Sequence, residues 1–458
     1  MVNDLAFRMA EFAGKVRYED LPEAVVHEVK RRVLDSLGCA FGSFNAEPCT
    51  IARTVAGKLS GDPGSTIFGT SHRAPPDWAA FANGCLVRYL DFNDTYLSKE
   101  PAHPSDNIPA AMAVADAQKA GGQELIAAIA LAYEVQCRLC DAVSIRSRGW
   151  DHVTYGAFST ALAAAKLMNL SVHKTRHALG IAGVASGNLR QSRVGELSHW
   201  KGCAFANAAR HGVYAAMLAA EGMTGPAPIF EGANGFEKLI SGPIDLRGPF
   251  SVDADWLGDF MILKTSIKFW PAEYHSQSAI EAALALRKQI GSTDEIESIR
   301  IESHDAAVDI IGSSPEQWRP TSRETADHSL PYITAVALED GEITTSQFTE
   351  ARFTDAKLLE LVAKVKVERN KELSGKYPVE VGNIVTIKTR DGRTISKRVD
   401  VPTGNALRPL SDHQVMAKFH SMADEMLGAD RAEALAEWVW DLDRVGGIED
   451  LFLLAEVR

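Results

Sequence analysis

The chain has 458 residues, a length that predicts roughly two or three domains at about 150 residues per domain. Hydrophobic residues make up 46% and charged residues 24%, which is the balance of a folded globular protein and excludes a disordered chain. The formal charge of −12 argues against a protein that coats nucleic acid, since phosphate binding needs a basic surface. An acidic ligand would therefore need a local cationic pocket.

The sequence predicts a cytoplasmic protein without a membrane span. Met1–Phe12 has no long apolar core and is not expected to be a secretory signal. The longest apolar run, Leu125–Tyr133, is shorter than the ~20 residues that cross a bilayer. Cysteines are too sparse for a disulfide framework. Cys137 and Cys140 form one CxxC, but within a predicted helix, so we expect ordinary buried thiols.

The first part of the chain predicts one helix after another. From Pro22 to Phe41, Val25, Val29 and Val33 recur at helical spacing. The same pattern predicts helices over 76–90, 106–120, 122–142, 156–169, 173–186 and 201–221. Many of these segments are rich in Ala, whose small side chain lets helix axes approach closely. We therefore predict an all-α domain over 1–262.

The pattern changes near residue 262. Residues 296–302 and 384–389 alternate as strands do, and Asp391-Gly392 joins the second to a strand at 394–401, a good hairpin signal. Helices are predicted at 274–290 and 328–339, which makes 263–402 an α+β domain. After Pro402 the helical pattern returns over 403–458, where Ser411 and Gln414 form a capping box that opens a helix at 412–426, followed by one at 429–441. The predicted fold is mainly α, a large all-α helical domain interrupted by a smaller α+β domain.

The most unusual polar stretch is Asp91–Asn107, which lies between two predicted helices. Such a loop exposes side chains on a rigid frame. Ser105 is the predicted N-cap of the second helix, and the free N–H groups and positive dipole end of that helix suit a carboxylate. The same field disfavours an imidazolium, so His103 would stay neutral and could act as a base. The alternative is that Asp91 and Asp94 are caps and His103 is an ordinary loop histidine.

Four further segments combine histidines with cations or carboxylates at the start of predicted helices or at the junction of the two domains. They are Trp150–Thr154, Arg190–Lys201, Lys268–His275 and Arg323–Tyr332. Cations crowd the second segment, which in an acidic protein favours an anionic ligand, although surface salt bridges with Glu196 are the alternative. The third lies at the predicted domain junction, and clefts at such junctions are common binding sites.

Several common nucleotide-binding and catalytic motifs are absent from the sequence. It has no GxGxxG or GxxxxGK[ST] loop, and neither GxSxG nor HExxH occurs. His173 and His177 have the i, i+4 spacing of a metal pair, but Lys174 and Arg176 beside them indicate a solvated helix face. We therefore expect no metal and no cofactor.

Taken together, four strings resemble the MmgE/PrpD family, and the likeness extends over nearly the whole chain. They are Asp-Phe-Asn-Asp-Thr from 91, His-Pro-Ser-Asp-Asn from 103, Arg-Val-Gly-Glu-Leu-Ser from 193 and Ala-Asp-His-Ser-Leu-Pro-Tyr from 326. The resemblance implies a large all-α domain interrupted by a smaller α+β lid domain, a homodimer, and an active site between the two domains. The family's functional positions fall on Asp91, Thr95, His103, His152, Lys201, His275 and Tyr332, with Lys268 a weaker match.

The resemblance also implies a substrate class, a small tricarboxylate. The expected reaction is dehydration of 2-methylcitrate to 2-methyl-cis-aconitate without an iron–sulfur cluster, with citrate and cis-aconitate as further substrates. Tyr96–Ala102 gives the loop between Thr95 and His103 the length of the dehydratase version, since the resemblance implies a shorter loop in a decarboxylase. Other family reactions, decarboxylation of cis-aconitate and epimerisation of iminodisuccinate, stay open, because all of them move protons next to a carboxylate.

A dehydration needs a base, an acid and cations that neutralise the substrate carboxylates. We expect His103 to be an acid/base oriented by Asp91, Lys201 and His275 to bind carboxylates, and Thr95 and Tyr332 to position or protonate the leaving group. The remaining candidates for substrate binding are His152, Arg190, Arg193, Lys268 and Arg323. The rival from another class is a non-catalytic helical scaffold, which predicts a contiguous apolar surface patch.

Overall fold

The computed structural model describes residues 4–246, 250 and 259–458. Within the first part the helices are α1 Leu5–Lys15, α2 Glu23–Gly42, α3 Glu47–Ala56, α4 Pro76–Arg88, α5 Ile108–Gln118, α6 Gly122–Ala142, α7 Thr154–Leu167, α8 Val172–Ala185 and α9 Trp200–Ala220. The helices predicted by apolar spacing are therefore confirmed, with nearly the same ends. The predicted domain over 1–262 includes residues 1–3, 247–249 and 251–258, which lie outside the described residues.

The start of α5 differs from the prediction. Ser105 does not cap that helix, because a turn of 3-10 helix, Pro104–Asn107, comes first. The Ser105 N–H donates to Asp94 Oδ1 (2.9 Å), and the Ser105 hydroxyl accepts from Asn93 Nδ2 (2.9 Å). Contacts from the preceding loop have therefore replaced the local cap.

The second part combines a sheet with short helices. Its helices are α10 Gln277–Arg287, α11 Asp305–Ile311, α12 Arg323–Ala326, α13 Leu330–Asp340, α14 Glu350–Phe353, α15 Ala356–Val362 and α16 Lys371–Lys376. Two short strand pairs precede the sheet along the chain, and each strand has two residues. They are β1 Ser65–Thr66 with β2 Arg73–Ala74 and β3 Asp94–Thr95 with β4 Ser266–Ile267. The sheet itself contains β5 Ile296–Ser303, β6 Val365–Arg369, β7 Asn383–Thr389 and β8 Thr394–Val399.

The strand order in this sheet is β6-β5-β7-β8. The predicted hairpin is confirmed, since β7 and β8 pair antiparallel and Gly392 adopts a φ of +90°, a value that glycine reaches without strain. The sequence did not reveal β6, which pairs in parallel with β5. The fold is mainly α with a small α+β part.

The C-terminal helices are α17 Asp412–Leu427, α18 Ala429–Trp440 and α19 Glu449–Leu454. The predicted capping box of Ser411 and Gln414 opens α17. These helices share one hydrophobic core with α1–α9, whereas residues 270–399 form a second core. The axes of α2 and α17 approach closely at Gly38, where an added Cβ would lie 3.1 Å from the Cα of Phe419.

One short strand pair connects the polar loop to the junction between the cores. β3 and β4 pair antiparallel, with Thr95 opposite Ser266. This pairing holds the Asp91–Asn107 loop next to Lys268, at the place where the first core gives way to the second. Among the described residues, the structure contains no helix with the length and hydropathy of a membrane span.

Candidate active site

A cavity of about 230 Å³ lies where the loops of the first core meet the second. Nine residues singled out in the sequence line it, namely Asp91, Thr95, His103, His152, Arg190, Arg193, Lys201, Lys268 and His275. The loops supply most of these side chains, while the helices that flank them are buried in the first core. The structure therefore brings together segments that lie up to about 180 residues apart along the chain.

Asp91 is the centre of a buried group of charges, the Asp91 cluster, formed with Arg88, Lys201 and Lys268. Lys268 Nζ donates to Asp91 Oδ2 (2.8 Å) and to its main-chain oxygen (2.7 Å). Lys201 Nζ lies 3.5 Å from Oδ1, which the Arg88 guanidinium also contacts. Burial alone would raise the pKa of Asp91, but the three cations hold it well below its ordinary value.

The backbone at Asp91 is strained. Its φ of +52° lies in the left-handed region, which a residue other than glycine rarely adopts. Such conformations persist where surrounding contacts determine them, and they concentrate at functional sites. The contacts of Asp91 with Lys268 and Arg88 supply that determination here.

The Asp91 cluster carries more positive than negative charge. Three cations surround one carboxylate, and Asp327, 4.0 Å from Lys201, offsets part of the positive charge. Burial lowers the pKa of Lys201 to about 8, although Asp91 and Asp327 oppose that shift. An anionic group beside Lys201 would relieve the cost of burying this ammonium.

His103 is held by main chain rather than by a carboxylate. Its Nδ1–H donates to the Asp94 carbonyl oxygen (2.7 Å). Since a carbonyl can only accept, Nδ1 carries the proton and Nε2 presents a lone pair. The prediction that Asp91 orients His103 is therefore wrong in this structure, because the Asp91 carboxylate is engaged by Lys268 and Arg88.

The expectation that His103 is neutral is supported, for a different reason. Burial is the largest cause that lowers the pKa of His103 well below its ordinary value, and the positive charges of Arg88 and Lys268 act in the same direction. The sequence argument had relied on the dipole of α5. A neutral imidazole with a free Nε2 is the form that accepts a proton.

His152 lies next to His103, with ring centroids 6.0 Å apart. Its Nδ1 lies 2.9 Å from Asp151 Oδ1, and Asp151 Oδ2 accepts from Arg193 Nε (2.8 Å). The Nε2 of His152 is buried and has no hydrogen-bond partner among the described residues. This atom can therefore bind a polar group of a ligand in the cavity.

The second core contributes His275 to the cavity. Its Nδ1 lies 2.6 Å from Glu273 Oε1, and its Nε2 lies 3.4 Å from the Tyr377 hydroxyl. Burial would raise the pKa of Glu273, yet His275 and more distant cations lower it to about 2. The Glu273 carboxylate therefore remains charged and orients the His275 ring.

Two predicted residues lie elsewhere. Tyr332 is buried in the second core, where its hydroxyl donates to the Gln347 carbonyl (2.5 Å). Arg323 lies behind the cavity wall and donates to Asp327 Oδ2 (3.1 Å) and to the main-chain oxygen of Tyr89 (3.2 Å). Both side chains have protein partners that satisfy them, so the structure does not support the catalytic role predicted for Tyr332 or the substrate contact predicted for Arg323.

Sequence reasoning missed several polar residues of the cavity, among them Arg146, Glu273 and His328. His328 had a usable signal, because Asp327-His328 begins one of the strings on which the family resemblance rests. Glu273 lies two residues before the predicted His275. Arg146 follows the end of α6 and carried no signal apart from its charge.

This arrangement can remove a proton from a carbon next to a carboxylate. Neutral His103 is a base, and the cations of the Asp91 cluster and of Arg146, Arg190 and Arg193 can neutralise an anionic substrate. Among the described residues, no group of three or more His, Cys, Asp or Glu side chains is arranged to hold a metal ion.

The chain matches two family models and several characterised proteins. Residues 7–248 match the MmgE/PrpD N-terminal domain, and residues 270–443 match the MmgE/PrpD C-terminal domain. A cis-aconitate decarboxylase of Mus musculus is 30% identical over 97% of this chain and 92% of that protein. A 2-methylcitrate dehydratase of Cupriavidus necator is 28% identical over 86% of this chain and 84% of that protein. A 2-methylcitrate dehydratase of Escherichia coli K12 is 28% identical over 82% of this chain and 81% of that protein.

Proposed function

Because the chain belongs to the MmgE/PrpD family, we propose that it is a hydro-lyase that removes water from 2-methylcitrate to give 2-methyl-cis-aconitate. The reaction would need no cofactor. The observation that carries the proposal is a neutral histidine base, His103, in the same cavity as the buried cations of the Asp91 cluster. Relatives with this activity in their names match more than four fifths of the chain.

His103 is the base of the proposed reaction. Its Nε2 takes a proton from the carbon next to a carboxylate, and the C–H electron pair forms the new double bond. That carbon is a weak acid because its carboxylate is already negative, so charge must be neutralised as the proton leaves. Lys201 supplies this charge, while the base itself contributes roughly 10²–10⁴-fold to the rate.

The substrate carboxylates would bind to the cationic side of the cavity. Arg190 can take a carboxylate with two parallel hydrogen bonds, Arg193 has its two Nη groups for a carboxylate while its Nε donates to Asp151, and Lys201 provides a single point of charge. The unpartnered Nε2 of His152 and the ring of His275 complete the polar lining. Six Arg and Lys side chains line the cavity against the four carboxylates of Asp91, Glu273, Asp309 and Glu316, so the lining has a net positive charge that suits an anionic ligand.

Thr95 is the residue proposed to hold the leaving hydroxyl. Its Oγ1–H donates to the Ala102 carbonyl (3.2 Å), so its proton is in use and its lone pairs are available. Thr95 can therefore accept a hydrogen bond from the substrate hydroxyl and orient it.

A second candidate is decarboxylation of cis-aconitate. It is favoured by the match to the mouse decarboxylase, which extends over 97% of the chain. The cations would bind the same kind of substrate, but the chemistry would lose CO₂ instead of water.

The test is to incubate the purified protein with 2-methylcitrate and a strong chelator and to follow the ultraviolet absorbance of a conjugated tricarboxylate. We expect absorbance to rise with the wild type and not with His103→Ala. A folded wild type that gives no absorbance change contradicts the dehydratase proposal. Release of CO₂ from cis-aconitate by the same sample would then support the second candidate.

The proposal includes a cytoplasmic homodimer. Sedimentation at several protein concentrations would measure the mass in solution, and a monomer throughout would contradict this part of the proposal.

A further inference from the structure

His328 lies in the cavity wall with a carboxylate near each ring nitrogen. Nδ1 is 2.5 Å from Asp327 Oδ1, and Nε2 is 3.9 Å from Asp91 Oδ2. At 2.5 Å a proton must lie between the ring and Asp327, so Nδ1–H donates and Lys201 Nζ, 3.4 Å from Nδ1, cannot donate to it as well. The side chain is 16% exposed, whereas those of its charged neighbours Asp91 and Lys201 are at most 3% exposed.

Asp327 is held as a carboxylate. It is fully buried and accepts from Arg323 Nη1 (3.1 Å) at Oδ2 while Oδ1 contacts His328. Burial would raise the pKa of Asp327, but Lys201, His328 and Arg323 together lower it.

His103 and His328 have different hydrogen-bond partners in one cavity. The Nδ1 of His103 donates to a neutral carbonyl, and the charges that shift its pKa are mainly cations. In His328, Nδ1–H donates to the Asp327 carboxylate, and Nε2 is on the side of the Asp91 carboxylate, 3.9 Å from Oδ2. A base needs a lone pair that faces the substrate and an acid needs an N–H that faces it, so two histidines with different partners in one cavity suit the two proton transfers.

We propose that His328 is the general acid that protonates the departing hydroxyl group, and that Asp327 is the residue that positions it. This inference rests on the proposed dehydration and adds the second proton transfer to it. The step balances within the site. As His103 takes the C–H proton, the C–H pair becomes the double bond, the C–O bond breaks with its pair on oxygen, and the Nε2 proton of His328 completes a water molecule. His103 ends protonated and His328 neutral, and exchange with solvent restores both.

Lys201 is the competing acid, since its pKa of about 8 also leaves a proton available. Its ammonium contacts Asp91 and Asp327 at 3.5 and 4.0 Å. If Lys201 gave up its proton, the cluster would lose a cation at the moment when the substrate carboxylate needs it. Lys201 therefore stays charged throughout the step, and His328 is the group that transfers the proton.

The experiment compares two leaving groups. The substrates are 2-methylcitrate and its analogue in which fluorine replaces the hydroxyl group, since fluoride departs without becoming water. We expect His328→Gln to lower kcat for 2-methylcitrate by roughly 10²–10⁴-fold and fluoride release by less than about tenfold. His103→Gln, the matched control, should lower both, because both eliminations need the base. An ion-selective electrode measures fluoride, and ultraviolet absorbance measures the alkene.

Retained fluoride release also shows that the variant is folded, and His328→Asn provides a second substitution at the same position. The inference is overturned if His328→Gln dehydrates 2-methylcitrate at nearly the wild-type rate, or if both His328 variants lose dehydration and fluoride release equally. It is also overturned if Lys201→Met loses dehydration but retains fluoride release. A wild type that does not dehydrate 2-methylcitrate overturns the proposed function, and this inference with it.

Discussion

The loop Asp91–Asn107 and the segment Arg323–Tyr332 both bring a histidine to the cavity, but they surround it differently. In the first, His103 donates to a carbonyl and faces the cations Arg88 and Lys268. In the second, His328 donates to Asp327 and has Asp91 beyond its other nitrogen. The difference teaches that two histidines of one cavity can be fixed by different partners of Nδ1, a neutral carbonyl for His103 and a carboxylate for His328.

The largest expected effect comes from removing the neutral histidine. His103→Ala should lower kcat by roughly 10²–10⁴-fold, the usual contribution of one acid or base, while the protein stays folded. Initial rates and a thermal melt measure the two quantities. His173→Ala, at an exposed histidine of α8, is the matched control and should change neither. Near-normal turnover in His103→Ala would remove the base from the proposed mechanism.

The next effect tests the charges around the first histidine. Asp91→Asn leaves Arg88, Lys201 and Lys268 buried without their carboxylate, and breaking such a pair costs about 3–5 kcal/mol of folding stability. Denaturant unfolding measures it. Asp441→Asn is the control, because Asp441 and its partner Arg444 are both exposed and their ion pair should contribute about 1 kcal/mol or less. Equal losses in both variants would show that the cluster has no special energetic role.

The pH dependence of KM tests whether Lys201 binds the substrate. The folded pKa of Lys201, about 8, lies below the ordinary value of 10.5, so the ammonium loses its proton as pH rises through 8. If Lys201 binds a substrate carboxylate, KM should rise above that pH. Lys201→Ala should raise KM roughly 10–100-fold, since a hydrogen bond to a charged group contributes about 1.5–3 kcal/mol. The KM of Lys201→Ala should not change near pH 8, because the variant has no ammonium there to lose a proton. An effect confined to the melting temperature would show that Lys201 is structural.

The helices could be predicted because their signals are local. Apolar spacing within one segment determines α4, α6 and α9, and the Ser411–Gln414 box opens α17. The strand β6 carries no such signal, since what makes Val365–Arg369 a strand is its parallel pairing with β5 far back in the chain. The Ser105 cap failed for the same reason, because the Asp94 carboxylate took the N–H that a local cap would have exposed.

The site could be predicted to the level of segments but not of individual side chains. Each motif that was singled out contributes to the cavity or to the wall behind it, because polar residues at helix starts and junctions are exposed by the fold. Which side chain of a motif faces the cavity depends on how its helix packs. In Arg323–Tyr332, α13 turns Tyr332 into the second core and leaves His328 at the wall.

Tyr332 gives the smallest expected effect and tests that distinction directly. Tyr332→Phe removes the hydroxyl that donates to the Gln347 carbonyl, and leaving that buried oxygen without a partner should cost about 1–3 kcal/mol of stability. Turnover should stay within about threefold of the wild type, because the hydroxyl lies among residues of the second core and not beside His103 or His328. Rates are measured well below the melting temperature. A large fall in kcat without a stability loss would mean that the tyrosine reaches the substrate in a conformation other than this one, and would return the second proton transfer to Tyr332 instead of His328.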